Sequence, residues 1–182
     1  MIKELFTKYG FFILLMLGFA SCDKNDFEPD YSQGKATAIK NGDDWMGQGR
    51  GSTDISENGI EMSFDVYNNE GILRQNISFV KVPIVRGQYN LFHTFSGVND
   101  SLSGCHFATL SFDGDVVEDR YRVIETGNES TITITDYNES ERLLSGEFRL
   151  KLYIDPDRPK ANPSNPDTIL FEVGEFEVTI EE

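Results

Sequence analysis

Phe148-Arg149-Leu150-Lys151-Leu152-Tyr153-Ile154 alternates without a break. Phe148, Leu150, Leu152 and Ile154 fall on one side of an extended chain, and Arg149, Lys151 and Tyr153 fall on the other. A period of two is what a strand with one dry and one wet face requires; a helix would scatter these residues around its surface. The rhythm returns twice more. Ile60, Met62, Phe64 and Val66 alternate with Glu61, Ser63 and Asp65, and Phe176, Val178 and Ile180 alternate with Glu175, Glu177 and Thr179.

Shorter strand candidates fill the space between these three. Lys35–Lys40 is closed by Asn41-Gly42, a strong hairpin signal. Ile72–Val82 alternates imperfectly, which implies a bulge, and Pro83 ends it or confines it to an edge. Gln88–Phe92, His106–Phe112, Arg120–Glu125, Thr131–Thr135 and Thr168–Val173 follow, separated by turn residues and by a proline-rich loop at Asp155–Asp167. The polar piece Asp136–Arg142 reads as a loop. No window carries a helical period. Many short strands of this kind define an all-β fold, here an antiparallel β-sandwich, with a closed or partly open, calycin-like barrel as the alternative. A buried parallel sheet would instead give continuous apolar runs.

The 182 residues divide into three parts. Residues 35–182 form the single antiparallel β domain, and residues 22–34 form a polar, acidic tether without periodicity. Residues 1–21 form a leader. Lys3 and Lys8 precede an uncharged, mostly apolar run from Tyr9 to Ala20, which is the layout of a secretory signal. That run is short of the ~20 apolar residues of a spanning helix. Small residues Ala20 and Ser21 stand before Cys22, and the pattern resembles a bacterial lipobox with Phe19 where Leu is most usual. The resemblance implies diacylglycerol on the Cys22 thiol, cleavage before it, and an outer-membrane lipid anchor; the plainer reading is a cleaved signal with Cys22 left as a thiol. Asp23–Asp30 resembles the acidic export signal of surface lipoproteins in Bacteroidota-type bacteria. Its composition also fits a simple solvated tether on a periplasm-facing protein.

The formal net charge of −15 argues against nucleic acid as a partner, which needs a basic footprint. If Cys22 carries lipid, Cys105 has no partner within the chain. Its neighbours form a strand, so it reads as a small buried hydrophobe.

Candidate chemistry is sparse. His93 and His106 sit in no zinc motif, and adjacent strand residues point to opposite faces, so Cys105 and His106 form no dyad there. Gly47-Gln48-Gly49-Arg50-Gly51 lacks the helix a phosphate loop needs and reads as a flexible loop or a strand of close backbone approach. The acids at Asp113/Asp115/Glu118/Asp119 and Asp155/Asp157/Asp167 do not match a calcium loop and read as solvated turns. No catalytic residue, metal site or cofactor is expected. Trp45 is a candidate sugar-stacking platform if exposed, and a core residue if not. Ser101 and Thr168, in Asp100-Ser101-Leu102 and Asp167-Thr168-Ile169, resemble sites where these bacteria attach O-linked glycans.

Several stretches together resemble an uncharacterised lipoprotein family of Bacteroidota-type bacteria. They are Ala36–Trp45, Gly87-Gln88-Tyr89-Asn90-Leu91, Thr131–Asp136, Ser145-Gly146-Glu147-Phe148, and Val173-Gly174-Glu175-Phe176-Glu177-Val178. The resemblance implies a lipid-anchored β-sandwich or barrel-like domain and supplies no catalytic residue. The expected function is a non-enzymatic binding or interaction module at the outer-membrane surface, contacting the membrane through Cys22 and extracellular glycan or other envelope proteins beyond it. A barrel carrying a small apolar ligand and a carboxylate-based glycoside hydrolase are the alternatives.

Overall fold

The structure is a computed structural model that describes residues 27–51, 59–93, 102–123 and 129–181. The leader, Cys22 and Ser101 lie outside these ranges. Ten strands follow one another: β1 (Gly34–Lys40), β2 (Asp43–Gly51), β3 (Ile60–Tyr67), β4 (Leu73–Val82), β5 (Gly87–Asn90), β6 (Gly104–Leu110), β7 (Val117–Val123), β8 (Thr131–Asn138), β9 (Leu143–Ile154) and β10 (Thr168–Thr179). They form one antiparallel sheet in the order β10-β1-β2-β3-β4-β6-β7-β9-β8-β5. Because β9 also pairs with β10 along its length, the sheet closes on itself as a barrel-like ring.

The wall of the ring forks. Along one edge β9 meets β10 throughout. Along its other edge Leu143–Arg149 take β8, whereas Leu152–Ile154 take β7. β8 carries β5, and Phe92 just beyond β5 bridges in parallel to Gly104 of β6. The gap between β6 and β9 is thus filled by β7 at one end and by β8 with β5 at the other.

Alternation places the apolar side chains inside. Aromatic rings run through the interior in contact: Phe176 with Phe64, Phe64 with Phe79, Phe79 with Phe148, Phe148 with Phe171, Phe171 with Phe107, and Phe107 with Tyr121, at centroid separations of 5.5–6.3 Å. Trp45 meets Phe171 edge-on at 5.3 Å. Each ring stabilises the fold by about 1.5–3 kcal/mol of burial, plus the edge and tilted geometry that aromatic quadrupoles favour.

Several boundaries differ from the sequence expectation, each for a physical reason. Of the two readings of the glycine-rich piece after Met46, the strand of close backbone approach holds, and it forms the second half of β2. Gly47, Gly49 and Gly51 all face inward, where a side chain has no room. A Cβ at Gly49 would come within 2.8 Å of the Gly34 backbone, and one at Gly51 would strike the Thr179 carbonyl. β8 runs on through Asp136-Tyr137-Asn138, because Ser145, Leu144 and Leu143 across the hairpin supply ladder partners. Thr168–Val173 and the closing strand are one element, interrupted by a bulge between Phe171 and Gly174. Irregularities read from Ile72–Val82 are present as register shifts against β3.

Strand direction sorts the turns to two ends. Turns 68–72 and 111–116 and loop 155–167 share one end, and turn 139–142 lies at the other. Asp119, buried on β7, clasps the long loop: its carboxylate accepts the Ala161 N–H at 2.7 Å, Asn165 Nδ2 at 2.7 Å and the Asn162 N–H at 3.3 Å. At the same end the chain ahead of β1 is fastened. The Phe27 N–H donates to the Asn69 carbonyl at 3.0 Å, and its ring lies 5.1 Å from that of Tyr67.

Candidate functional site

Antiparallel register lines up one row of polar side chains on the outside of the ring: Arg50, Ser63, Ser78, His106, Arg122, Tyr153 and Thr168, one from each successive strand. Ser63 and Ser78 are short and sit between the longer Arg50 and His106. The height difference leaves a depression of about 290 Å³ lined also by Glu61.

A hydrogen-bonded chain fixes one side of this trough. Ser78 Oγ donates to Asn76 Oδ1 at 2.7 Å, and Asn76 Nδ2 donates to Asp65 Oδ1 at 2.7 Å. Arg50 Nε lies 3.4 Å from Asp65 Oδ2, and Arg50 Nη2 donates to the Tyr67 hydroxyl at 2.5 Å. Burial and then the Asp65 charge push the Tyr67 hydroxyl up, so it stays protonated. On the other side Arg122 is held by Asp157 at 2.9 Å and Asp155 at 3.5 Å, and contacts His93 Nε2 at 3.2 Å.

Burial, then the charges of Arg120 and His93, push His106 down to about 4. It is therefore neutral near pH 7, one ring nitrogen a donor and the other an acceptor, and Nδ1 lies buried away from the trough. With serine hydroxyls, a carboxylate and a guanidinium beside it, the trough presents both hydrogen-bond senses within a small area.

A second groove of about 400 Å³ lies over β10, β1 and β2, lined by Thr37, Ile39, Asp44, Met46 and Val173, with Trp45 beneath. Val173 is 77% exposed and sits in the left-handed region at φ 50°. For a β-branched residue that backbone is strained.

The residues singled out from sequence disperse. Trp45 is only 6% exposed, and its indole N–H donates to Gln75 Oε1 at 3.1 Å. The core reading therefore holds, and the stacking-platform alternative is corrected: a ring packed on Phe171 has no free face. Cys105 is fully buried among apolar neighbours, and burial pushes its thiol up and out of reach of ordinary chemistry. Thr168 opens β10, half-buried, as the register partner of Tyr153. Among the described residues no three of His, Cys, Asp or Glu converge as a metal-binding group. The polar row itself was not found from sequence, because it depends on register between strands far apart in the chain. The one available sign was Ser63, a small polar residue amid large neighbours on an otherwise well-patterned strand.

Comparison with protein-family models, with curated proteins and with solved structures gives no match, so the functional reading rests on geometry.

Proposed function

We propose that this chain is a lipid-anchored envelope protein, tethered through Cys22 at the outer membrane, whose β domain is a non-enzymatic binding module. Its ligand is rich in hydroxyl groups, a glycan by class, and lies in the trough over Ser63 and Ser78. The observation that carries this reading is the small-between-large row Arg50–Ser63–Ser78–His106 on a rigid sheet. Fixed polar groups of both senses in a shallow depression suit hydroxyls, which donate and accept.

Two observations favour this over the alternatives. The ring interior is filled by aromatic side chains, which leaves the apolar-carrier reading less support. The buried carboxylates Asp65 and Asp119 are both engaged by neighbours, in contrast to the freely facing pair a glycoside hydrolase uses.

Titration calorimetry of the full chain against a panel of soluble envelope and host oligosaccharides tests the ligand. Binding by the native protein and at least tenfold weaker binding by Ser78→Tyr, which fills the trough, is the expected result. Equal binding by both proteins would remove the trough from the reading. Membrane fractionation tests the anchor: Cys22→Ser should move the protein to the soluble fraction.

A further inference from the structure

We infer that the β6–β7 hairpin tip faces the lipid surface that anchors Cys22, with Phe112 and Val116 dipping into its interfacial layer. The inference rests on the anchor proposed above and adds how the domain sits on it.

Phe112 is 82% exposed and Val116 60% exposed, though both are large apolar residues at the tip of one turn. The turn is a fixed scaffold. The Ser111 N–H donates to the Val116 carbonyl at 2.9 Å, the Gly114 N–H donates to the Ser111 carbonyl at 3.0 Å, and the Ser111 hydroxyl donates to the Asp113 carboxylate. Neither side chain belongs to the core of the described residues, and the turn holds both outward.

Their place relative to the tether points to what they meet. Phe27 is pinned at turn 68–72 through Asn69 and Tyr67. Only four residues lie between it and Cys22, and the five Cα-to-Cα steps span no more than about 18 Å even when fully extended. The two hairpin tips are side by side. Arg74 Nη1 donates to the Ser111 carbonyl at 2.6 Å, and a Cβ at Gly114 would come within 2.8 Å of Ile72 Cγ2. A lipid on Cys22 therefore holds the bilayer near the end of the ring where Phe112 projects. Exposed Phe and aliphatic side chains bury themselves at the headgroup–acyl boundary of a membrane when they are held against it. Hydrogen bonds from Ser111 and the Asp115 N–H hold the Asp113 carboxyl below its usual range, so it stays charged. With Asp115 beside it, the tip suits zwitterionic lipid and is repelled by anionic lipid.

The test uses the purified, lipid-modified full chain in phosphatidylcholine vesicles. Phe112→Cys gives one accessible thiol for a polarity-sensitive fluorophore, since Cys22 is blocked by lipid and Cys105 is buried. Glu139→Cys, exposed at the opposite end, is the reference. The expected result is a blue-shifted probe at 112, quenched by nitroxide-bearing lipid, and an unaffected probe at 139. Added anionic lipid should reduce the quenching at 112. Val116→Cys repeats the reading with Phe112 in place. If the protein carries diacylglycerol by mass and floats with vesicles while the probes at 112 and 139 are equally unquenched, the orientation is overturned and the anchor stands. If the mass shows no lipid and the chain does not float, the anchor reading falls and the orientation falls with it.

Discussion

The ring of Phe176 lies across Gly146, its register partner on the neighbouring strand; a Cβ at Gly146 would come within 2.6 Å of that ring and would also strike the Thr133 carbonyl. The arrangement is reciprocal. Phe148, two residues on, lies across Gly174, its own partner on β10, at the same 2.6 Å. Each strand thus supplies one glycine and one ring, and each glycine is the floor on which the opposite ring rests.

Gly146→Ala should therefore destabilise the domain far more than a change of one methyl group usually does. We expect a loss of about 2–4 kcal/mol, in the range of overpacked cores and displaced ring contacts. Phe176→Ala should cost about 3–5 kcal/mol through the cavity it leaves. Because the two residues share one contact, the double variant should cost less than the sum. Urea midpoints at constant slope measure all three; additive losses would show that the pair is not coupled.

Trp45→Phe keeps the ring on Phe171 but removes one of the two donors to Gln75 Oε1, which then accepts only from Lys40 Nζ at 2.7 Å. A loss of about 1–2 kcal/mol is expected for a part-buried hydrogen bond. Trp45 is the only tryptophan, so its fluorescence reports the native core directly. Native emission should be blue and should shift red on unfolding; native emission already at the solvent-exposed wavelength would contradict the packing.

His106 makes stability depend on pH in a definite direction. Its folded-state value is pushed down to about 4, below the unfolded value near 6.5, by burial and by Arg120 and His93, with Arg122 opposite it in register. The unfolded chain takes up the proton first as pH falls, so stability is full above about pH 6.5 and declines toward pH 4. The complete effect is at most about 3 kcal/mol. His106→Gln should flatten the pH 6.5–5 part of the stability curve, before most carboxylates titrate. An unchanged slope in that variant would assign the dependence elsewhere.

Val173→Gly should stabilise the domain, contrary to the usual effect of glycine in a strand. The backbone at φ 50° penalises a β-branched side chain, and at 77% exposure that side chain has little packing to lose. Relief of about 1 kcal/mol is expected. A thermal midpoint that falls instead would mean that Val173 contributes contacts in the groove over Thr37 and Met46 that outweigh the strain.

Much of the fold was legible wherever alternation was clean. Phe64, Phe148 and Phe176 announce their strands and their inward faces. The role of the two Gly-x-Phe stretches, Gly146–Phe148 and Gly174–Phe176, needed the partner strand. Gly47–Gly51 was obscure for a related reason: glycines leave no apolar mark, so an inward row of them hides the period. The fork in the wall and the polar row depend on register between distant segments, which local pattern does not carry. Trp45 shows the limit for sites, because its residue type suits a platform and a core equally well until Gln75 and Phe171 are placed beside it.

β1 lies between β10 and β2, bonded to both, and the Thr179 N–H ties the last strand to the Gln33 carbonyl just before it at 2.8 Å. A mechanical load entering through the N-terminal chain would first have to peel Phe27 from its turn and would then act on a strand gripped on both sides. Sliding β1 out lengthwise shears two hydrogen-bond ladders at once, where a strand at an open margin would unzip one bond at a time. A pull on the N-terminal chain therefore meets the fold in its shear-resistant direction.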